Sequence, residues 1–154
     1  KPLPMAVPNT ALRTAARCGM DVTVARPDTH ALDPGVMAEA EALAETQGGS
    51  VSATSDQAAA AEGADVVYAK SWGGPLVYEN PEAESEARAA RSDWRITAAL
   101  MARTRNGAFL HCLPVRRNVV VDDAVLDGPH AAHLDQAEYR LHAQKALLQY
   151  VWTL

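Results

Sequence analysis

Gly107-Ala108-Phe109-Leu110-His111-Cys112-Leu113-Pro114-Val115-Arg116-Arg117-Asn118 is the stretch on which the fold turns. Its first four residues form a short apolar run, the pattern of a strand buried on both faces in a parallel sheet. The run stops abruptly at an imidazole, a thiol, a proline and two guanidinium groups. In an open α/β sheet, ligands bind just beyond the carboxyl ends of the strands. A strand ending in His111, Cys112 and paired arginines therefore points to a site for a small anionic molecule. The plainer reading is a strand followed by a solvated basic loop, with Cys112 packed as a small hydrophobe.

Working outward, strand patterns alternate with helix patterns along the whole chain. Asp65-Val66-Val67-Tyr68-Ala69 reads as a second buried strand, Asp21–Ala25 as a shorter one and Ser50–Thr54 as a thinner one. Helices are expected at Ala11–Cys18 behind Asn9 or Thr10, at Val36–Gln47 with Pro34 in the first turn, and at Gln57–Ala61 behind Ser55-Asp56. Gly19, Gly48-Gly49 and Gly63 close them. A helix from Ser92 or Asp93 to about Arg103 precedes the central strand. Asp122 caps a short turn, Ala131–Leu134 reads as a final strand, and a helix from Asp135 to about Trp152 ends the chain. Lys1–Pro8, with Pro2, Pro4 and Pro8, reads as extended or turn backbone. The polar stretch 75–91 is long for a loop, so it is expected to be partly helical or a lid. Alternation of this kind specifies an α/β class with a mostly parallel sheet.

The 154 residues suffice for one domain with a real core. A net charge of −5 argues against a general nucleic-acid-binding role. No apolar run approaches the roughly 20 residues needed to span a bilayer, and no secretory signal opens the chain. Cys18 and Cys112 stand in different settings and suggest no disulfide framework, which fits a reducing cytoplasm.

Parallel strands place both carboxyl ends on one edge of the sheet. Lys70, Ser71 and Trp72 after one strand are thus expected to converge with His111, Cys112, Arg116 and Arg117 after the other. Lysine and arginine there suit carboxylate or phosphate groups. Adjacent strand residues point to opposite faces, so a Cys112–His111 nucleophile pair is disfavoured. Arg140 follows the start of the last helix, where anions are favoured. His130, His133, Asp135 and His142 lack the i, i+4 spacing of a zinc motif, so no metal is expected. There is no G-x-G-x-x-G, P-loop or G-x-S-x-G, and no cofactor is expected.

Several of these segments resemble one family. His111-Cys112-Leu113-Pro114 resembles the HCLP signature of the ornithine-type carbamoyltransferases. Asp135-Gln136-Ala137-Glu138-Tyr139-Arg140-Leu141-His142-Ala143-Gln144-Lys145-Ala146 is similar to that family's D-E-A-E-N-R-x-H-x-Q-K-A segment. Lys70-Ser71-Trp72-Gly73 resembles the K-S-W-G of the N-acetylornithine and N-succinylornithine branch, as do Lys1–Pro4 and Val7–Leu12.

The resemblance implies a Rossmann-like three-layer domain binding the amino-acid acceptor. It is expected to lack its first strand, and the carbamoyl-phosphate domain is absent from these residues. It implies carbamoyl transfer from carbamoyl phosphate to the δ-amine of an N-acylated L-ornithine, in arginine biosynthesis. By the same resemblance Cys112, Leu113 and Arg140 are catalytic, with a cis Leu113–Pro114 bond. Asn9, Lys70, Ser71, Trp72, His111, Pro114 and Arg116 are expected to bind substrate. The implied assembly is a homotrimer of full-length chains, with no nucleic acid or membrane partner, and the 154 residues alone are expected to be inactive. Val120 stands where the acetylornithine enzymes carry a lysine after R-R-N-V, so acetyl and succinyl acceptors both stay open. Rival readings are an ordinary ornithine carbamoyltransferase domain, a nucleotide-binding α/β oxidoreductase domain, and a non-catalytic binding module.

Overall fold

A computed structural model of the chain describes residues 4–153. It divides into two compact units. One holds the described residues up to Glu62 together with Lys70–Trp94; the other holds Gly63–Ala69 together with the chain from Arg95 onward.

The first unit contains helix α1 (Ala6–Arg17), strand β1 (Asp21–Ala25), helix α2 (Pro34–Gln47), strand β2 (Ser50–Thr54), helix α3 (Gln57–Ala61) and helix α4 (Pro81–Ala89), with 3-10 turns at Asp28–His30 and Pro75–Val77. Strands β1 and β2 pair in parallel from Asp21↔Ser50 to Ala25↔Thr54. The core lies where α1 meets α2. Leu12 and Ala16 on one helix, and Val36, Ala40 and Ala44 on the other, each recur at i+4 and share a face. The alanines let the backbones approach closely, and Leu32, Val22, Val24, Val51 and Trp72 complete the packing. Asp33 caps α2 by accepting from the Gly35 and Val36 amides, with Pro34 in the first turn. Gly48 ends α2 in the left-handed conformation, at φ +80°, which a side chain would disfavour.

The second unit contains strand β3 (Val66–Ala69), helix α5 (Ala98–Met101), strand β4 (Ala108–His111), helix α6 (Asp123–Leu126) and helix α7 (His133–Trp152). Strands β3 and β4 pair in parallel from Val66↔Ala108 to Ala69↔His111. Phe109 and Val121 are fully buried, and Ile96, Leu100, Val125 and Leu126 are buried in the same unit. The mixed α/β class with parallel strands is as the sequence implies, and the strands form two parallel pairs, one in each unit.

Three element boundaries differ from expectation. Helix α1 begins at Ala6 rather than Ala11. Pro8 sits in its first turn, where the missing amide would have had no helical partner anyway. The helix expected from Ser92 or Asp93 shrinks to Ala98–Met101, capped by Thr97. Ile96 is instead drawn into a bridge with Val121, its amide donating to Val120 O at 2.9 Å and its carbonyl accepting from Asp122 N at 2.9 Å. The final strand reduces to a bridge between Phe109 and Ala131, because α7 starts at His133. Residues 75–91 are partly helical: α4 is capped by Asn80, whose side chain accepts from the Ala83 amide. The expectation for Lys1–Leu3 lies outside the described residues. Among the described residues no helix is long and apolar enough to cross a membrane.

Candidate functional site

The second unit builds its site from the end of β4. Alternation sends Phe109 and His111 into the interior, while Cys112 lies on the other face and is half-buried. The edge of β4 away from β3 is satisfied in sequence. Phe109 N donates to His130 O at 2.8 Å, and Ala132 N donates to Phe109 O at 2.9 Å. One step further along, His111 N donates to the side-chain oxygen of Gln136 at 3.0 Å. A side chain from the first turns of α7 thus continues what the backbone began.

Beyond His111 the chain turns sharply. Leu113 takes φ +46°, and the Leu113–Pro114 peptide is cis. The Leu113 amide donates back to His111 Nδ1 at 3.0 Å. Left-handed backbone is unfavourable for a residue carrying a Cβ, so this amide bond holds a conformation the leucine would not choose. Tyr68, on β3, shares a face with Leu110 and so with Cys112. Burial pushes its phenol pKa up. The Gln136 side chain opposes that shift and the Cys112 thiol adds to it.

The two arginines after the turn have different fates. Arg117 donates to Asp123 at 2.7 Å and to both oxygens of Asp127 at 2.7 and 2.8 Å. Asn118, at φ +58°, bonds both the side chain and the amide of Asp123. Arg117 and Asn118 therefore brace the 116–127 segment. Arg117 does not offer a free guanidinium to an anion, which corrects the expectation of paired arginines. Arg116 and Arg140 are exposed.

Lys70, Ser71, Trp72 and Asn9 belong to the first unit. Trp72 donates its indole N–H to His30 O at 3.0 Å and packs on the α1–α2 core. Lys70 Nζ donates to the Ser71 carbonyl. A Cβ on Gly74 would stand 2.5 Å from Thr29 O, so glycine is what lets this loop lie against the 3-10 turn. Asn9 Oδ1 is buried without a hydrogen-bond partner, an acceptor left open on α1. Thus Trp72 is joined to His30 in one unit, and His111 and Cys112 are joined to Gln136 and Tyr68 in the other, with Leu113 held by His111.

Four residues that sequence reasoning passed over matter here. Gln136 and Tyr68 surround the turn; spacing in the strands signals Tyr68, but nothing local signals Gln136. His30 and Glu84 form a buried pair in the first unit. Glu84, with a side chain 3% exposed, accepts twice from Arg88 at 2.6 and 2.7 Å and stands 3.7 Å from His30 Nε2. Only the i, i+4 spacing of Glu84 and Arg88 was readable beforehand. A recess of about 250 Å3 beside Met101, Asn106, Val125 and His130 lies by the entry to β4, away from the turn at its exit. Among the described residues no three His, Cys, Asp or Glu side chains gather as a metal site.

Comparison with known proteins adds to this geometry. The aspartate/ornithine carbamoyltransferase family, Asp/Orn binding domain, matches residues 5–151. The N-acetylornithine carbamoyltransferase of Xanthomonas campestris pv. campestris is 46% identical over 149 residues, which are 96% of this chain and 44% of that protein. A crystal structure of acetylornithine transcarbamylase complexed with acetylcitrulline superposes with a TM-score of 0.92 at 45% identity, covering 96% of this chain and 45% of that one. A variant of N-acetyl-L-ornithine transcarbamylase complexed with carbamyl phosphate and N-succinyl-L-norvaline does so with a TM-score of 0.91 at 45% identity and the same coverage. The chain spans less than half the length of these relatives.

Proposed function

The chain belongs to the aspartate/ornithine carbamoyltransferase family, in its Asp/Orn-binding domain, and from this premise we propose that it is the acceptor-binding half of an N-acylornithine carbamoyltransferase. The reaction moves a carbamoyl group from carbamoyl phosphate to the δ-amine of N-acetyl- or N-succinyl-L-ornithine. The amine nitrogen attacks the carbamoyl carbon, the bond from that carbon to the phosphate oxygen breaks, phosphate leaves, and the new amide nitrogen loses a proton. Nothing here needs a cofactor. Catalysis rests on orienting a neutral amine and on stabilising charge on the carbonyl oxygen and the departing phosphate.

The observation that carries this reading is the His111–Pro114 turn. It fixes a half-buried thiol and a left-handed leucine at the carboxyl end of a parallel strand, where ligands bind in such sheets. In this reading Cys112 and the Leu113 backbone orient the amine and the carbamoyl group. Lys70 binds the acceptor carboxylate, with Ser71 and Trp72 next to it in sequence, and Pro114 and Arg116 bind substrate from the turn. Asn9 contributes its open Oδ1, and Arg140 reaches carbamoyl phosphate. In this reading residues 1–154 supply the acceptor-binding part of a cytoplasmic, homotrimeric enzyme of arginine biosynthesis, and carbamoyl phosphate is bound chiefly by a carbamoyl-phosphate domain.

An amide-resolved NMR titration with ornithine, N-acetylornithine, N-succinylornithine and NADH, one at a time, tests the proposal. Shifts at Lys70–Gly74 and Cys112–Asn118 with one acylated ornithine are expected, and they name the acyl group. A response to ornithine alone would favour the ordinary ornithine enzyme. A response to NADH alone, or to none of the four, would refute the assignment of an acceptor site to this domain.

A further inference from the structure

The turn that presents Cys112 and Leu113 is itself held by two groups, one on each side of it. We propose that His111 and Gln136 are positioning residues for this turn, Gln136 anchoring the last amide of β4 and His111 holding Leu113 in its left-handed conformation through an unprotonated Nδ1. The reaction that the turn would serve is the one proposed above.

A backbone amide can only donate. Leu113 N lies 3.0 Å from His111 Nδ1, so that nitrogen carries its lone pair and the ring proton sits on Nε2. His111 is 4% exposed, and its ring lies on the interior face of β4 with Phe109. Its backbone amide is fixed by Gln136 Oε1 at 3.0 Å. The ring cannot move without moving β4, and Leu113 cannot leave φ +46° without losing its acceptor. An imidazole reaching the amide two residues on reproduces an Asx turn, in which Asn or Asp does the same with its side-chain oxygen. Asparagine at 111 would put its oxygen close to where Nδ1 stands; leucine would fill the space and accept nothing. Likewise glutamate at 136 still accepts from His111 N, and leucine does not.

This pattern separates positioning from direct ligation. Contact with substrate through the far side of the ring would need the imidazole itself, and asparagine could not replace it. Positioning needs only the near acceptor.

The test uses the chain in solution. In the unaltered protein, imidazole 15N shifts are expected to place His111 Nδ1 in the unprotonated range and Nε2 in the protonated range at neutral pH. Amide exchange at Leu113 is expected to speed up roughly tenfold in His111→Leu, the size of one lost neutral hydrogen bond. It should stay within about twofold of the unaltered rate in His111→Asn, where the acceptor is replaced. Exchange at Phe109 reports whether the unit stays folded. The N-acetylornithine-induced shifts at Cys112 and Leu113 should persist in His111→Asn and weaken in His111→Leu. If His111→Leu unfolds the unit, the Gln136→Glu and Gln136→Leu pair carries the test through the His111 amide, protected in the first and exposed in the second. A proton on Nδ1, or an asparagine variant that behaves like leucine with Phe109 still protected, overturns the proposal. If the unaltered protein binds no acceptor, the functional reading fails while the tautomer and exchange results still decide the positioning claim.

Discussion

Replacing Arg88 by alanine should loosen helix α4 while leaving the α1–α2 core intact. Glu84 is the one buried residue of α4, with a side chain 3% exposed. Its carboxylate is held by Arg88 at 2.6 and 2.7 Å, with His30 at 3.7 Å. Two unit charges about 4 Å apart attract by about 4 kcal/mol at an effective dielectric of about 20. Removing Arg88 returns up to about 2 kcal/mol of side-chain entropy, but leaves a buried carboxylate without its cation. Arg88 is itself a quarter exposed, which lowers the loss. The net cost is about 2–3 kcal/mol, roughly a 30- to 150-fold rise in local opening. It falls on α4 because few other buried groups hold that helix down. Amide exchange within Glu84–Ala89 reads it, with Ala40 as the internal control. Glu84→Met removes the charge at similar volume and lets Arg88 turn to water, so it should cost no more than about 1 kcal/mol. Unchanged exchange in Arg88→Ala, or a Glu84→Met variant looser than Arg88→Ala, would refute the reasoning. A pH arm follows from His30. Burial lowers its pKa below the ordinary 6.5; Glu84 opposes that, and Arg88 and Arg91 add to it. The unfolded chain therefore takes up this proton first. Stability is fully present above pH 6.5 and declines as pH falls toward the folded-state value. In Arg88→Ala one lowering influence is gone, so the His30 titration seen by NMR should move up.

Three further outcomes are expected. Gly74→Ala places a methyl 2.5 Å from Thr29 O and should destabilise the loop by about 1–3 kcal/mol; faster exchange of the Trp72 indole N–H, with Phe109 unchanged, is the readout, and an unmoved indole would contradict it. The Tyr68 phenol should titrate above its ordinary value, and Cys112→Ala should bring it down only partway, because burial is the larger cause. A tyrosine absorbance titration of the two proteins checks this, and identical curves would remove the thiol from the Tyr68 environment. In Arg117→Ala the Asp123 and Asp127 carboxyls, now held below the usual range by the guanidinium, should titrate nearer to it. Carboxyl 13C shifts would show the change, smaller at high salt, and no change would mean that the brace is absent in solution.

Much of the architecture was legible because local signals agreed with one another. β2 and α3 fall where alternation and the Asp56 cap place them, and Gly19, Gly48 and Gly63 all take positive φ. The misses share a cause. Ser92–Arg103 has caps and helix formers enough for three turns, yet only Ala98–Met101 is helical, because Ile96 gains more from burial and pairing with Val121. That competitor is 25 residues away and invisible to any local window. Pro8 misleads in the other direction: a proline that breaks a helix interior is harmless in a first turn. At the candidate site the strand end and its reactive side chains were readable from a dozen residues. The partner of His111 N was not, since Gln136 lies on another element and any polar side chain would have looked the same in sequence.

The basic residues make the same point about electrostatics. The chain has 14 lysines and arginines against 19 acids, so carboxylates are in excess. Arg13, Arg26, Arg88, Arg95, Arg105 and Arg117 each have one within ion-pair distance. Among the described residues no carboxylate stands so close to Lys70, Arg116 or Arg140. Among the described residues Arg17, Arg91 and Lys145 have no carboxylate at ion-pair distance either, so lack of a partner does not by itself mark a binding group. The proposed reading rests on position instead: Lys70 is the first residue after β3, and Arg116 comes two residues after the Leu113–Pro114 turn. An anion arriving at a paired arginine must displace a carboxylate already there, whereas at Lys70 it competes with the Ser71 carbonyl. Arg116 and Arg117 are neighbours of one chemical type, yet Asp123 and Asp127 commit the second to the fold, while among the described residues no carboxylate pairs with the first. A basic pair read from sequence is therefore a statement about two residues, and their partners decide which of them can serve the site.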